Sequence, residues 1–323
     1  MRAPEFWHRP AGLAATLLAP FGLAYGALGA LRALRATPWR APVPVICVGN
    51  LTVGGAGKTP VVLALATRLR ARGLSVACLS RGYGGSERGP LQVDPARHTA
   101  AQVGDEPLLL ARVATTWIAR DRKDGARAAI AEGADVVLLD DGLQNPSLRK
   151  HFSLVVIDAG YGFGNGRIIP AGPLREPVER GLARAQAIVL IGDGPCPVAT
   201  SLPVLRARLV PDEAARALKG RRVTAFAGIG RPEKFADTLR DLGVELVSLT
   251  GFADHHPYRE EEVSALIAAA RRAGASLVTT EKDLVRLPEK LQTQVTAIGV
   301  RLRFDQPELL DALLEPVLQP TPR

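Results

Sequence analysis

A glycine-rich turn between two apolar segments constrains the fold most. Residues 43–48 predict a buried strand, and residues 60–66 predict a helix whose first turn carries proline. The turn ends in eight residues, here called the phosphate loop: Thr52, Val53, Gly54, Gly55, Ala56, Gly57, Lys58 and Thr59. The common pattern G-x-x-x-x-G-K-[ST] begins with glycine where this chain has Thr52. We interpret the loop as a nucleotide phosphate site; the alternative is a strand-to-helix turn in which Gly-Lys-Thr occurs by chance.

The chemistry of such a loop follows from its backbone. Glycines let successive N–H groups point inward, and the helix N-terminus adds partial positive charge at the same place. We expect Lys58 to reach the outer phosphates and the Thr59 hydroxyl to ligate Mg²⁺.

Beyond the loop, apolar strands alternate with helices. A helix is expected near 124–132, and strands are predicted at 75–79, 116–119, 134–139, 154–158 and 187–191. Continuous apolar strands separated by helices predict an α/β fold with a parallel sheet that is covered on both faces. Ligands then bind beyond the carboxyl ends of the strands.

A smaller α/β unit is predicted after a proline-rich boundary at 192–219. Its predicted elements are an extended connector at 204–210, strands at 223–229, 244–249 and 277–280, and helices at 232–242 and 260–273. The expected organisation is an N-terminal helix at 1–35, a first domain at 36–203 and a second domain at 204–323 that includes the connector. Residues 319–323 are expected to fray.

Acidic residues occur at two predicted turns. Asp140 follows the strand 134–139, where an acid that holds Mg²⁺ beside a phosphate loop is expected. The alternative is an aspartate that starts a turn. Asp105 and Glu106 lie at a helix start, where N-capping is the alternative interpretation.

Two loops carry further polar candidates. Arg175 lies in a loop rich in Gly and Pro, and the sequence allows it either to bind phosphate or to pair with a neighbouring glutamate. Asp254, His255 and His256 are consecutive in a second loop. A general base oriented by a carboxylate is favoured there over a metal pair, because adjacent histidines point in different directions.

The N-terminal segment carries no charged residue from Pro10 to Leu31, which is long enough to cross a hydrocarbon core. Residues 1–40 contain five Arg and one Glu, which is +4 of the net +9. The six Leu and one Phe of the uncharged stretch contribute only about −3 to −4 kcal/mol toward insertion. We therefore favour a shallow or monotopic anchor at a membrane surface; a buried helix and a cleaved signal peptide are the alternatives.

The basic composition raises nucleic acid as a partner. Only 5% of residues are aromatic, and the sequence has no basic–aromatic ladder, so nucleic acid is not expected. An anionic membrane or a phosphorylated substrate accounts for the charge equally well. The three cysteines have no metal-binding spacing, which fits a reducing compartment.

The motifs together resemble the tetraacyldisaccharide 4'-kinase family, the lipid A 4'-kinases of Gram-negative bacteria. The segments that carry this resemblance span nearly the whole chain: 49–60, 80–84, 103–107, 140–144, 170–177, 254–255 and 280–283. The family's loop also lacks the first glycine, which accounts for Thr52. The resemblance implies a P-loop NTPase-type kinase domain and a second α/β domain, with the active site in the cleft between them. It also implies transfer of the ATP γ-phosphate to the 4'-hydroxyl of a tetraacylated glucosamine disaccharide 1-phosphate at the cytoplasmic face of the inner membrane.

The resemblance also implies roles for individual residues. Lys58 and Thr59 would hold phosphates and Mg²⁺, with Asp140 and Glu106 as further acids on the magnesium side. Two cations would bind phosphate charge: Arg122 and Arg175.

The catalytic pair implied by the resemblance is Asp105 and His255, with Asp105 nearest the attacking hydroxyl. Asp254 would orient His255, whereas His256 would be non-catalytic, because the family pattern has one histidine after the aspartate.

Two other classes of function stay open at this point. A P-loop switch or metallochaperone-type NTPase would hydrolyse nucleotide without lipid. A non-catalytic, membrane-tethered nucleotide-binding protein would bind ATP and tolerate the loss of Asp105 and His255. The sequence leaves the oligomeric state open, and either class is distinguished from a lipid kinase by whether labelled phosphate appears in a lipid.

Overall fold

The computed structural model describes residues 4–230 and 232–319, so most of the tail expected to fray lies outside the described residues. The strands are β1 Val45–Gly49, β2 Val76–Ser80, β3 Leu91–Gln92, β4 Thr115–Ile118, β5 Val136–Asp140, β6 Phe152–Asp158, β7 Ala187–Ile191, β8 Val204–Pro211, β9 Arg222–Ala227, β10 Glu245–Gly251, β11 Ser276–Thr280, β12 Thr296–Ile298 and β13 Val300–Phe304. The helices are α1 Leu13–Arg35, α2 Lys58–Ala71, α3 Ala100–Val103, α4 Asp105–Ala111, α5 Arg122–Ala131, α6 Val178–Leu182, α7 Glu213–Arg216, α8 Pro232–Asp241, α9 Glu260–Arg272, α10 Glu281–Leu284, α11 Glu289–Gln292 and α12 Pro307–Leu318, and a 3₁₀ helix spans Glu5–His8.

The larger sheet has nine strands in the order β13-β8-β7-β6-β1-β5-β2-β4-β3. Its inner strands are parallel, and only the two edge strands run antiparallel to their neighbours. All five residues of β1 are buried, as the continuous apolar run predicts for a sheet covered on both faces. The register pairs Val48 with Asp140, so the acid at the end of β5 lies beside the strand that leads into the phosphate loop.

Alternate residues of β1 enter two separate cores. Ile46 and Val48 pack in the core that includes α2 and α12. Val45 and Cys47 pack on the opposite face, in the core that includes α5. The full burial of each large apolar side chain contributes about 1.5–3 kcal/mol, so these two layers hold the strand ends that carry the site.

The smaller sheet has four parallel strands in the order β10-β9-β11-β12. Phe235 and Leu239 of α8 cover one face, and Val263 and Ile267 of α9 cover the other. Helix α10 follows β11 directly and contacts α4 of the larger unit. This contact joins the larger unit, which is the nine-stranded sheet with the helices packed on it, to the smaller unit, which is the four-stranded sheet with its helices.

Sheet membership departs from the predicted division at residue 204. The expected connector is strand β8, which pairs with β7 inside the larger sheet. The chain crosses to the smaller sheet only after β8, and it returns as β13, which pairs antiparallel with β8. Leu310 and Leu314 of α12 are fully buried in the same core as α2. The last part of the chain therefore belongs to the larger unit, because its apolar faces are buried there.

Helix α1 begins at Leu13 and lies on the surface of the larger unit. Gly22 packs so closely on Ile168 that an added Cβ would meet the Ile168 carbonyl oxygen at 2.7 Å. Before the helix, the buried Trp7 donates its indole N–H to the Pro170 carbonyl at 3.1 Å. Among the described residues, α1 is the one helix long and apolar enough to cross a membrane. Only 11% of its most apolar 18-residue stretch is buried. A buried core helix, one of the alternatives above, is not what the structure has.

Candidate functional site

The phosphate loop joins β1 to α2 with backbone that suits glycine. Gly54 and Gly57 have φ of +111° and +85°, a region that residues with a Cβ rarely adopt. Gly57 is the N-cap of α2, and Lys58 is the first helical residue. The Lys58 ammonium donates to Asn50 Oδ1 at 3.1 Å and lies 3.8 Å from Asp141 Oδ2. The loop therefore presents a helix N-terminus and a cation at one place, as an anion site requires.

The segment 170–177 braces the phosphate loop from outside. Thr52 forms a β-bridge with Leu174, and the Val53 N–H donates to the Pro173 carbonyl at 2.8 Å. Thr52 is thus buried in extended backbone, where a β-branched residue fits well and a glycine is not needed. This gives a physical reason for threonine where the common pattern has glycine.

Arg175 pairs with Asp141, a partner that was not predicted for it. Its Nη1 contacts the two carboxylate oxygens at 2.9 and 3.0 Å, whereas Glu176 pairs with Arg184. Burial raises the pKa of Asp141, but the charges of Lys58 and Arg175 outweigh that effect and lower it overall. Asp141 therefore holds two cations at the mouth of the phosphate loop.

Asp140 is the last residue of β5, and its carboxylate has no partner. The side chain is 1% exposed, and neither oxygen accepts a hydrogen bond from any described residue. Burial raises its pKa to about 7, an effect that the nearby Glu106 carboxylate adds to and that Lys58 opposes. An unpartnered buried carboxylate is costly unless a cation joins it. Together with the buried Thr59 hydroxyl, this oxygen-rich set fits a hard divalent cation.

Arg122 is also buried in this region. Its Nη1 donates to the Ala119 carbonyl at 2.7 Å, while Nε has no partner among the described residues. Burial lowers the pKa of Arg122, and the charges of Asp140 and Asp141 oppose that shift. The guanidinium interacts electrostatically with both aspartates, and its Nε–H donor has no partner among the described residues.

Asp105 is the first residue of α4 in the larger unit, His255 lies in the loop after β10 in the smaller unit, and their side chains meet directly. His255 Nδ1 lies 3.0 Å from Asp105 Oδ2, and the other Asp105 oxygen accepts the Glu106 N–H at 2.9 Å. Burial raises the pKa of Asp105, but the His255 hydrogen bond and nearby cations outweigh it and bring it to about 2. The same hydrogen bond raises the pKa of His255. The pair is therefore a carboxylate that is ionised at neutral pH next to an imidazole that can hold a proton.

Glu106 pairs with a lysine of the smaller unit. Its Oε1 lies 2.6 Å from the Lys282 ammonium, which α10 brings from the smaller unit. Burial raises the pKa of Glu106, but the charge of Lys282 and its hydrogen bond together outweigh that effect and lower the pKa overall. Asp105 and Glu106 thus each bind a residue of the opposite unit, so α4 is the main bridge between the two halves of the site.

The two neighbours of His255 have less to do with the pair. Asp254 lies 3.9 Å from His255 Nε2 and makes no hydrogen bond to the ring, so Asp105 rather than Asp254 orients it. His256 turns away, pairs with Glu262 at 3.2 Å and stacks on Phe252 with ring centroids 4.7 Å apart. His255 itself has φ of +57°, in the left-handed region that residues with a Cβ rarely adopt.

Four residues of the site received no role from the sequence. Asn50, Asp141 and Lys282 lie in segments that carry the family resemblance, and Arg286 lies three residues beyond the last of these segments. A threonine that precedes Glu-Lys-Asp at a strand end is a signal for a polar helix start, but nothing in that spacing says which partner the lysine meets. Their contacts depend on how the two sheets approach each other.

A phosphate loop held beside an ionised carboxylate–imidazole pair is the arrangement of a nucleotide-dependent phosphotransferase. The model of one such family, described as "Tetraacyldisaccharide-1-P 4'-kinase", matches residues 14–319. The chain belongs to this family.

Two relatives and one solved structure illustrate the similarity. The tetraacyldisaccharide 4'-kinase of Rhodospirillum centenum is 58% identical over 98% of this chain and 97% of its own length. That of Rhodospirillum rubrum is 53% identical with the same coverage of both chains. The "apo" form of LpxK from Aquifex aeolicus in complex with ATP matches with a TM-score of 0.79 and 29% identity over 94% of this chain and 99% of that one.

Proposed function

We propose that this chain is an ATP-dependent lipid kinase that transfers the γ-phosphate to the 4'-hydroxyl of a tetraacylated glucosamine disaccharide 1-phosphate, a step of lipid A biosynthesis. Family membership and the ATP complex of the Aquifex relative support the activity and the nucleotide. The observation that carries the proposal is the 3.0 Å contact of Asp105 with His255 beside the phosphate loop. A nucleotide switch has no need of such a pair.

The pair supplies the base for the acceptor hydroxyl. Asp105 Oδ2 stays ionised at neutral pH and accepts from His255 Nδ1, so the hydroxyl meets a fixed negative charge. His255 keeps its Nδ1 proton in this hydrogen bond and stabilises the carboxylate. The proton that leaves the hydroxyl goes to the Asp105 carboxylate as the hydroxyl oxygen bonds to the γ-phosphorus and the bond to ADP breaks. Little base strength is needed, because phosphoryl transfer has a loose transition state in which the nucleophile loses its proton late. Asp254 is placed to add negative charge on the other side of the ring.

The phosphates are bound by charge and by backbone. The N–H groups of the phosphate loop and the Lys58 ammonium would hold the outer phosphates. Arg175 and Arg122 lie close to the same aspartates and would bind the transferred group as its charge spreads. The side chains of Lys58, Arg175 and Arg122 are each already held by a described hydrogen bond, so little ordering of these cations is left for the reaction.

A magnesium ion is proposed on the acidic side of the loop. Asp140, Thr59 and Glu106 would hold it, and the unpartnered oxygens of Asp140 support this assignment. When bound, it would neutralise phosphate charge. Glu106 would then have to share its carboxylate between the ion and Lys282.

We also propose that the enzyme works at the cytoplasmic face of the bacterial inner membrane, as a peripheral or monotopic protein. Helix α1 exposes a row of large apolar residues, and Arg32 and Arg35 lie in its last turn. Such a helix suits the headgroup region, and the basic end suits anionic lipid. ATP is available only on the cytoplasmic side of the inner membrane, and a lipid acceptor lies in the plane of that membrane.

The test is transfer of label from [γ-³²P]ATP to lipid. Purified protein is incubated with a tetraacyldisaccharide 1-phosphate in detergent micelles, and the lipid is separated by thin-layer chromatography. We expect a labelled bisphosphorylated disaccharide that is absent with the 4'-deoxy acceptor. Label that appears only as inorganic phosphate, at the same rate with and without lipid, would instead identify a nucleotide-driven NTPase.

A further inference from the structure

Arg286 is a buried cation that lies behind the catalytic pair. It follows α10, and its side chain is 7% exposed. Its Nε donates to the Lys282 carbonyl at 3.0 Å and lies 3.6 Å from Asp105 Oδ2. That oxygen is the one that His255 Nδ1 contacts. One guanidinium of the smaller unit thus reaches an acid of the larger unit at its reactive oxygen.

The other side of Arg286 is fixed by Asp283. The Asp283 side chain is fully buried and accepts the Arg286 Nη2 donor at 2.7 Å. It also accepts from the Tyr258 hydroxyl at 2.7 Å and from the Gly228 N–H at 2.9 Å. Thr280 Oγ1 lies 2.6 Å from its second oxygen. A carboxylate with this many partners cannot shift, so it sets the plane of the guanidinium.

Arg286 also binds two backbone carbonyls close to His255, one in its own loop and one in the loop after β9. Its Nη2 donates to the Gly228 carbonyl at 3.0 Å, and that carbonyl accepts the His255 N–H at 3.2 Å. Its Nη1 lies 3.4 Å from the His256 carbonyl. The left-handed backbone of His255 is strained for a residue with a Cβ, and strain of this kind persists only where surrounding contacts enforce it. Arg286 supplies these contacts.

We propose that Arg286 is a positioning residue, which holds the His255 turn and the Asp105 carboxylate at the separation that the reaction needs. The inference rests on the proposed function for its catalytic meaning, but the geometry it describes is independent of any substrate. Arg286 makes no hydrogen bond to Asp105 Oδ2, from which its Nε lies 3.6 Å away, and it acts through Asp105 and His255. Its planar fork makes this role specific, because one ammonium cannot reach Asp283, three carbonyls and Asp105 at once.

The test compares Arg286→Met and Arg286→Lys with a matched control, Arg271→Met. Arg271 lies on the exposed face of α9, and its side chain donates to Gln294 at 3.0 Å. Steady-state kinetics should show kcat lower by about 100-fold for Arg286→Met and about 10-fold for Arg286→Lys, with the KM for ATP within about threefold of wild type. The control should match wild type. Equal losses in kcat and in ATP affinity would overturn the proposal, since Arg286 would then act on the whole cleft.

A second readout needs no turnover. The groups that face His255 are Asp105, Asp254, Lys282 and, through Asp105, Arg286. If Arg286 positions the pair, its loss should weaken the Asp105 contact, and the pKa of His255 measured by NMR should fall toward the ordinary value in Arg286→Met but not in Arg271→Met. An unchanged His255 titration in a folded Arg286→Met protein would overturn the inference. Failure of wild-type protein to label lipid would refute the proposed function alone, because the titration would still report on the pair.

Discussion

Two buried aspartates, one in each half of the molecule, have opposite surroundings. Asp140 ends β5 of the larger sheet, and neither of its oxygens has a partner among the described residues. Asp283, three residues beyond β11 of the smaller sheet, is just as buried but accepts from a tyrosine, an arginine and a backbone amide. A buried charge with a full set of partners is part of the framework. A buried charge without them leaves room for a ligand.

The same contrast applies to the two histidines of one loop. His255 pairs with Asp105 of the larger unit, whereas His256 pairs with Glu262 of its own unit and stacks on Phe252. Both are histidine–carboxylate pairs at hydrogen-bond distance, so chemistry alone does not separate them. Their position does, because only the first pair joins the two units beside the phosphate loop. Substitution of one member of each contrast should therefore affect the protein differently from substitution of its counterpart.

The largest effect is expected at the first pair. Asp105→Ala and His255→Ala should each lower turnover by about 10³-fold, since each removes half of the base. The double variant should lose little more, because residues that act as a unit are non-additive. Steady-state transfer of label to lipid measures all three.

His256→Ala is the matched control, and its turnover should stay within about threefold of wild type. A reversed pattern, in which His256→Ala is inactive and His255→Ala is active, would show that the His256–Glu262 pair is the functional one.

Lys58→Ala should lower turnover by at least about 100-fold, or roughly 3 kcal/mol of transition-state stabilisation, because it removes the cation at the phosphate loop. The fold should survive, since Lys58 is partly exposed and its two described partners, Asn50 and Asp141, keep other contacts. Circular dichroism and transfer assays together check this. Lys234→Ala, which removes a cation that pairs with Asp158 at 2.6 Å, is a control for simple loss of charge near the cleft. Turnover of Lys58→Ala within tenfold of wild type would remove the phosphate loop from the mechanism.

The two aspartates themselves should respond to substitution with opposite signs. Asp283→Asn should destabilise the protein by about 3 kcal/mol, because it leaves the Arg286 charge without its closest partner. Asp140→Asn should stabilise the ligand-free protein by about 2 kcal/mol at pH 8, since it removes a buried charge that has no hydrogen-bond partner among the described residues. Urea unfolding of both variants measures the difference, and destabilisation by Asp140→Asn would mean that Asp140 has a structural partner after all.

The effect of Asp140→Asn on the free energy of unfolding depends on pH, and its direction follows from the raised pKa of Asp140. Its pKa in the folded protein is about 7, above the ordinary value near 4, so burial penalises the ionised form. The penalty is absent below about pH 4, grows as the pH rises toward 7 and is complete above it. The stabilisation by Asp140→Asn should therefore be larger at pH 8 than at pH 5. Added Mg²⁺ should stabilise the wild type at pH 8 and leave Asp140→Asn unchanged.

Most of the fold could be predicted from local patterns. The apolar runs that end near Val48 and Asp140 predicted buried parallel strands, and the strands lie there within two residues. The return of the chain to the larger sheet could not be predicted. Strand β13 alternates apolar and polar residues over only five positions, and its partner β8 lies about ninety residues earlier. Short edge strands and long-range pairing leave little signal in a single sequence.

The site divides in the same way. Lys58, Thr59 and Asp140 lie in segments whose backbone geometry follows from glycines and strand ends, so their grouping was predictable from spacing. The pairing of Asp105 with His255 came from a family resemblance, and the structure brings the two side chains together. The partners Lys282 and Arg286 were not found, because their contacts arise only where α10 meets α4. Contacts between units depend on tertiary packing rather than on local sequence.

The smallest effect on turnover is expected at α1, where eight large apolar side chains are exposed. Leu17 and Leu34 are 67% and 81% exposed, whereas the rest of the apolar surface is scattered. Replacing both with glutamine should lower affinity for anionic liposomes by about 2 kcal/mol, from the lost insertion energy of leucine and the added cost of a polar group. Leu209→Gln, at an exposed leucine of β8, is the control and should not change binding.

In the transfer assay the double variant should raise the apparent KM for lipid and leave kcat within about twofold, because no proposed catalytic residue lies in α1. High salt should release part of the wild-type protein, since screening weakens the contribution of Arg32 and Arg35. Complete release would indicate a purely electrostatic contact, and no release would indicate insertion deeper than the helix composition supports.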